Sequence, residues 1–331
     1  MATLYITEQG TRLTRTHSRI IIEKDGKILL QVPIIKIDNI VIFGRVSISV
    51  PVIELLLNQG VPCTFLSING RLKGMLEPIK SKNIILRYRQ FEKAKNEQFR
   101  IMMSRLIVQG KIKNQRRLIQ RFSHNHSDID FVPESQELDI MLKHLQLKNT
   151  IPGIMGIEGQ ATAVYFRAYA QLFKGDLGFD QRTRRPPRNP VNALLSFGYT
   201  LLVNEYIALI ASVGFDPYLG FYHGISYGRP SLALDLVEEL RHPVIDMLAL
   251  ELVSRRMLTE SDFTGDAENG FFLSHEGKKV FFTQYEKRMN SEFLHPKSGI
   301  RTTIRKVMRE QVENLMRAVE DNEIYEPYTI G

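Results

Sequence analysis

Short apolar runs bounded by turn residues dominate the first 80 residues. They cover residues 3–7, 19–23, 27–32, 39–43, 63–67 and 71–76. Runs of this length between turn signals read as short strands. Lys24-Asp25-Gly26 and Asn69-Gly70 stand between neighbouring runs, and residues of these types accept the positive φ that tight hairpin turns need. Residues 49–58 depart from this pattern. Ser49 can cap a first helical turn and Gly60 can take the left-handed conformation after the last, so one short helix is predicted there. Pro78 ends the pattern.

From Asn83 onward the apolar residues recur at helical spacing. Ile84, Tyr88, Phe91, Met102 and Leu106 predict a basic helix with a buried stripe. Asn189-Pro190 couples a capping side chain to a proline at the first helical position. It predicts a helix through Ala193, Leu194, Phe197, Leu201 and Ile207 that stops near Gly214. Ser231 is expected to cap the next helix, and Pro243 to kink or break it. Residues 259–270 read as a loop. Residues 301–320 read as an amphipathic helix with Ile304, Met308, Val312, Leu315 and Val319 on one face, and the tail after Asp321 as loose. The fold class is α+β. A small β-rich N-terminal domain (1–79) precedes a basic linker and helix start (80–95) and a larger all-α C-terminal domain (96–331).

Composition narrows the class. At 331 residues two domains are expected rather than one core, and 43% hydrophobic with 24% charged residues is ordinary for a soluble protein. No apolar run is expected to approach the roughly 18–20 residues of a membrane-spanning helix, and no membrane role is foreseen. Met-Ala-Thr-Leu-Tyr shows no basic leader or cleavage pattern. The single cysteine, Cys63, excludes an intrachain disulfide, suits a reducing cytoplasm, and lies in an apolar run where a packed core residue is expected.

The net charge of +8 and the pI near 9.4 favour an acidic partner. Between Lys80 and Arg121 stand 13 basic residues and two acidic ones, an excess larger than that of the whole chain. A solvated charged face is the plain alternative. The second cluster, Arg182-Thr183-Arg184-Arg185-Pro186-Pro187-Arg188, carries four arginines and no acid on a proline-stiffened loop, which suits bidentate phosphate contacts. Two separate clusters favour nucleic acid over a membrane surface. Candidate DNA contacts are Lys111, Arg116 and Arg117 in the first, Arg182, Arg184, Arg185 and Arg188 in the second, and Arg241 beyond them.

Three places can carry chemistry. Glu158 lies in Gly156-Ile157-Glu158-Gly159, where an acid could also complement the positive end of a helix. His223 lies between Gly220 and Gly224, and a lone histidine is more often structural than a ligand. Asp235 and Glu238 are three residues apart on one helical face, beside a stripe of Leu232, Leu236 and Leu240. An ion pair with Arg241 is the alternative to a ligand role. One imidazole with two or three carboxylates fits a hard divalent ion, Mg²⁺ or Mn²⁺, and not a thiolate-rich zinc site. Beside phosphate-binding surface, such an ion points to phosphodiester chemistry. No G-x-x-x-x-G-K-[ST] loop is present, which argues against a nucleotide-hydrolysing motor.

Gly156-Ile157-Glu158-Gly159, then Arg184-Arg185-Pro186-Pro187 with Asn189-Pro190-Val191-Asn192-Ala193-Leu194-Leu195-Ser196-Phe197-Gly198-Tyr199, then Gly220-Phe221-Tyr222-His223-Gly224, then Ser231-Leu232-Ala233-Leu234-Asp235-Leu236-Val237-Glu238 occur in that order. Together they resemble the CRISPR-associated endonuclease/integrase family that acquires new spacers, over nearly the whole chain. The resemblance implies a metal-dependent DNA endonuclease and integrase that joins the 3′-hydroxyls of a short DNA duplex to the CRISPR repeat. It implies a homodimer, with two dimers bridging a small ferredoxin-like partner dimer. By motif, Glu158, His223 and Glu238 are the expected metal ligands, and Asp235 is the acid beside them. Two departures touch no metal position: Leu240 stands where an aromatic is frequent, and His242 is interposed before Pro243. A general metal-dependent nuclease or repair resolvase, and a non-catalytic DNA-binding scaffold, are the rival readings.

Overall fold

The computed structural model describes residues 2–68, 70, 72–76, 83–173 and 177–331. The chain divides into two compact units, Met1–Lys80 and Ser81–Gly331. The expected boundary at 79/80, Lys80, Lys82, Pro78 and Asn69 of the second predicted turn all lie outside the described residues.

The first unit carries two four-stranded sheets. One joins β1 (Ala2–Ile6), β5 (Ile37–Phe43), β7 (Cys63–Leu66) and β8 (Leu72–Leu76), with β1, β5 and β7 parallel and β8 antiparallel to β7. The other joins β4 (Lys27–Pro33), β3 (Arg19–Lys24), β2 (Arg12–Thr16) and the short β6 (Ser47–Ile48). The predicted runs are all strands; β2 and β6 were not foreseen. The turn between β3 and β4 places Asp25 and Gly26 at φ 49° and 75°. Between β6 and β7 runs α1 (Val50–Gln59), which ends with Gly60 at φ 69° as expected. Ser49 precedes it, yet its side chain makes no capping bond; Pro51 in the first turn removes one of the amides such a cap would serve. Val52, Leu55 and Leu56 of α1 pack with Leu13, Ile20, Ile40, Ile42 and Cys63 into one apolar cluster. Cys63 is fully buried, and burial pushes its thiol up to about 12, so it is a core residue.

The second unit is mostly helical. The foreseen basic helix is two helices, α2 (Ile84–Lys95) and α3 (Glu97–Asn125). The break falls at Asn96, whose side chain accepts the Phe99 amide at 3.0 Å and caps α3. The predicted stripe is also displaced. Ile84, Tyr88 and Phe91 are exposed, whereas Leu86 and the polar Gln90 are buried. Gln90 is drawn inward because its amide serves three backbone groups, donating to Asp216 O (2.9 Å) and Leu219 O (2.8 Å) and accepting from Asp216 N (2.8 Å). In α3 the inward face holds Met103, Ile107, Val108, Ile112 and Leu118, with Ser104, Lys111, Asn114 and Gln115 interleaved.

There follow α4 (Val132–Gln146), α5 (Ile151–Ala170) and α6 (Pro190–Val213). Asn189 caps α6, accepting Asn192 N at 2.8 Å, and Gly214 ends it at φ 118°. Against the expectation for apolar runs, α6 is 24 residues long and apolar enough to cross a membrane, but most of its apolar window is buried, as in a core helix. Next come α7 (Ser231–Leu240), a π-helical turn (Arg241–Asp246) at the expected Pro243 disruption, and α8 (Met247–Ser254). Ser231 does not cap α7. Its hydroxyl donates to Gly224 O at 2.9 Å and so ties the preceding loop to the helix.

The 259–270 segment is no simple loop. It contains β9 (Phe263–Asp266), paired antiparallel with β10 (Gly270–Leu273). After α9 (His275–Asn290), β11 (Phe293–Leu294) pairs with β12 (Arg301–Thr302), so two small hairpins interrupt a unit expected to be wholly helical. The closing helix α10 (Ile304–Glu320) buries Met308, Val312, Leu315 and Val319 as predicted. The tail is not loose. Tyr325, Tyr328 and Ile330 are buried, and Asn114 of α3 donates to Tyr328 O (3.0 Å) and accepts Ile330 N (2.9 Å).

Candidate active site

The site gathers on α7, against α3 and α5. Asp235 is fully buried and all of its acceptor capacity is used. Oδ2 accepts the amides of Phe221 (2.6 Å) and Tyr222 (3.0 Å); Oδ1 accepts the amide (2.8 Å) and ring Nδ1 (2.8 Å) of His223. One carboxylate therefore folds the loop and aims the imidazole. The loop comes so close that a Cβ on Gly220 would stand 2.7 Å from Asp235 Oδ2 and 2.8 Å from the Ser231 carbonyl carbon, so only glycine fits. With Nδ1–H given to Asp235, His223 presents the lone pair of Nε2, which lies 4.0 Å from Glu238 Oε1.

Glu238 is nearly buried and held between cations. Arg241 Nη2 is 3.0 Å from Oε1 and Lys111 Nζ is 2.6 Å from Oε2. The Lys111 ammonium also pairs with Glu158 Oε1, which accepts the Thr162 hydroxyl at 2.8 Å. Lys111, 2% exposed, thus stands between the two carboxylates. Burial opposes ionisation of Glu238, but Arg241 and Lys111 overcome it and hold the carboxyl far below its usual range. Glu158 is shifted the same way: burial opposes, and Lys111 outweighs both burial and the repulsion of Glu238.

Glu158, His223, Asp235 and Glu238 therefore come together as the sequence motifs foresaw. Among the described residues, no group of three or more His, Cys, Asp and Glu side chains is drawn into ligating geometry; the space between Glu158 and Glu238 is taken by the lysine. The donor set itself suits a hard divalent ion: two ionised carboxylates and an imidazole nitrogen whose partner nitrogen is tied to a carboxylate.

The foreseen DNA contacts divide. Arg184, Arg185, Arg188 and Arg117 are exposed. Arg182 is turned inward, donating to Asn192 Oδ1 (2.8 Å) and Ser196 Oγ (3.0 Å), and burial lowers its pKa. Arg116 pairs with Asp139 at 2.7 Å. Lys111 and Arg241 are spent on the acids of the site and are corrected from DNA contacts to its counter-charges. The signal for Lys111 was present: it shares the spacing of Ile107, Val108, Ile112 and Leu118, an apolar stripe in which a lysine needs buried acids. Residues at which no sequence signal pointed are Thr162 and Gln115.

A β-rich unit followed by a helical unit, with paired acids, a carboxylate-oriented histidine and exposed arginines in the latter, has the make-up of a phosphate-handling protein. The family model for CRISPR associated protein Cas1 matches residues 4–287, and the chain belongs to that family. It is 34% identical over 307 residues to the CRISPR-associated endonuclease Cas1 2 of Rhodospirillum rubrum, covering 89% of this chain and 88% of that one. Among solved structures, a Cas1 protein from Thermotoga maritima superposes with a TM-score of 0.82 at 26% identity, covering 96% of this chain and 97% of that one. A casposase bound to integration product shares the fold with a TM-score of 0.88 at 21% identity, covering 99% and 93%. So does a chain of a Cas6-RT-Cas1–Cas2 complex, with a TM-score of 0.83 at 22% identity, covering 99% of this chain but 36% of that one.

Proposed function

We propose that this protein is a divalent-metal-dependent DNA endonuclease and integrase that inserts short DNA duplexes into a CRISPR array. The observation that carries the reading is the cation seat between Glu158 and Glu238, faced by the free Nε2 of His223. Two carboxylates kept ionised in a nearly closed place are a costly arrangement that a doubly charged ion suits. Glu158, Glu238 and His223 hold Mg²⁺ or Mn²⁺ in this reading. When bound, the ion polarises the scissile phosphate and stabilises the departing oxygen.

The chain's own groups do the rest. Asp235 fixes the His223 tautomer and ring. Arg241 stays beside Glu238 and stacks 4.9 Å from the Tyr199 ring, which holds its charge against that carboxylate. Gly156 and Gly159 flank Glu158 on α5, and a Cβ on either would meet nothing within 4 Å. No internal packing requires these helical glycines, each costing about 1 kcal/mol against alanine; a bare helix surface beside Glu158 admits a DNA backbone. Arg184, Arg185, Arg188 and Arg117 supply exposed positive charge for duplex phosphates.

The R. rubrum relative is named an endonuclease and the casposase is bound to an integration product, which supports both halves of the activity. The partners in this reading are a second copy of the chain and a small ferredoxin-like adaptation protein, in line with the Cas1–Cas2 assembly named above. The edge strand β4, with Ile28, Leu29 and Leu30 exposed, offers apolar surface for such contacts.

The test is strand transfer. Protein and its small partner are mixed with a short duplex carrying free 3′-hydroxyls, a supercoiled plasmid bearing a CRISPR repeat, and Mn²⁺ or Mg²⁺. Metal-dependent joined product, lost in Glu158→Ala with DNA affinity retained, is expected. Cutting without joining would favour a nuclease or resolvase, and plasmid binding with neither would favour a scaffold. Exchanging Arg184 and Arg185 for alanine should flatten the log–log salt dependence of binding by about 0.9 for each DNA phosphate no longer neutralised.

A further inference from the structure

His242, the residue interposed before Pro243, sits in the π-helical turn Arg241–Asp246, and its ring is 1% exposed. The π turn lets this histidine enter the core while Arg241 remains beside Glu238; such turns recur at functional sites. The imidazole packs 4.4 Å from the Tyr165 ring. Its Nδ1 lies 2.7 Å from Asp246 Oδ2 and its Nε2 lies 3.0 Å from Gln115 Nε2.

The donors run in one consistent direction. The Gln115 amide donates to His242 Nε2, which fixes the proton on Nδ1, and Nδ1–H donates to Asp246. The same amide donates to Thr162 Oγ1 at 3.4 Å, freeing the threonine hydroxyl to donate to Glu158 Oε1 at 2.8 Å. Burial holds His242 below the usual imidazole range in spite of Asp246, in keeping with a neutral ring. A second arm leaves the same aspartate. The Tyr199 hydroxyl donates to Asp246 Oδ1, and the Tyr199 ring carries Arg241, which pairs with Glu238. Tyr169 donates to the Asp246 carbonyl at 2.8 Å and anchors the hub.

We propose that Asp246 and His242 are positioning residues that hold the two carboxylate ligands from behind, Glu158 through Gln115 and Thr162, and Glu238 through Tyr199 and Arg241. The inference rests on the metal-site reading above. It assigns a role to a residue that the family resemblance left as a mere departure. The two arms share one root, so the spacing between Glu158 and Glu238 is fixed by the core and not only by Lys111.

The test is Mn²⁺ affinity by electron paramagnetic resonance on the full chain, with thermal melting in chelator as the control for folding. Thr162→Val keeps volume and removes one donor to Glu158. It should weaken Mn²⁺ binding about tenfold, the lower end of what loss of a ligand-orienting partner costs, while the melting curve in chelator stays close to that of the unaltered protein. Thr162→Ser, which keeps the hydroxyl, should bind like the unaltered protein. His242→Phe keeps a ring and cuts the relay, and should weaken binding at least as much as Thr162→Val. Unchanged affinity in Thr162→Val and His242→Phe overturns the relay and leaves the metal site standing. No Mn²⁺ binding by the unaltered protein overturns the metal site and the relay with it.

Discussion

Glu238 and Glu239 follow each other on α7, both are buried, and their surroundings treat them in opposite ways. Glu238 faces Arg241 and Lys111, which keep it ionised against burial. Glu239 faces the other side. Its carboxylate accepts the Tyr325 hydroxyl (2.7 Å), the Tyr328 amide (2.6 Å) and the Gln311 amide, all neutral donors. There burial prevails over those hydrogen bonds and pushes the carboxyl up to about 7. Depth in the core alone therefore does not mark a reactive acid. What separates the two is the cost of keeping charge: neutral donors fasten a tail, whereas cations preserve an anion.

The largest effect expected from breaking this comparison is that of Glu238→Ala. It leaves Lys111 and Arg241 short of a partner, and loss of one member of a buried pair costs about 3–5 kcal/mol. Mn²⁺ binding and strand joining should both vanish, read by electron paramagnetic resonance and by the joining assay. Glu239→Ala comes next. Three buried donors lose their acceptor at about 1–3 kcal/mol each before relaxation, and limited proteolysis should then cut after Asp321. Mn²⁺ affinity should stay as it was; if it falls as far as in Glu238→Ala, the two acids are not functionally distinct.

The third effect is one of pH. A carboxyl raised from 4.5 to about 7 in the folded state binds more protons folded than unfolded between those values. Its contribution to stability is full below about 4.5 and is lost as pH rises through about 7. Melting of Glu239→Gln, followed across that window, should lack this decline. Glu238 works the other way, adding stability above the ordinary carboxylate range and losing it only in strong acid. The smallest effect is that of Tyr325→Phe, which removes one hydrogen bond worth about 1 kcal/mol and should leave metal affinity untouched.

Local patterns made much of this readable. The β3–β4 turn, the α6 cap at Asn189 and the apolar face of α10 follow from nearest-neighbour chemistry, and each is where the turn, capping or helical-spacing pattern put it. Glu158, His223, Asp235 and Glu238 were singled out together by their motifs, and α5, α7 and the glycine-flanked loop bring them to one place. What failed depended on partners distant in sequence. Gln90 turned the α2 face because Asp216 and Leu219 offer backbone groups to its amide. The tail docks because Glu239 and Asn114 wait for it. Lys111 read as surface charge because its place on the apolar stripe of α3 calls for buried acids without showing that they come from α5 and α7. β9 and β10 were missed because Gly265 and Gly270, both at positive φ, resemble loop residues until their strands pair.

The lysine between Glu158 and Glu238 also bears on the order of events in the life of the chain. A domain whose acids wait for an external ion cannot mature before the ion arrives, and chelators unfold it. Here the counter-charge is encoded in α3 and arrives with the polypeptide itself. In the metal-dependent reading proposed above, maturation is thereby uncoupled from metal supply, and loading is an exchange of one cation for another within a finished scaffold. On that proposal, a cell short of manganese or magnesium accumulates a folded, dormant protein rather than a degraded one.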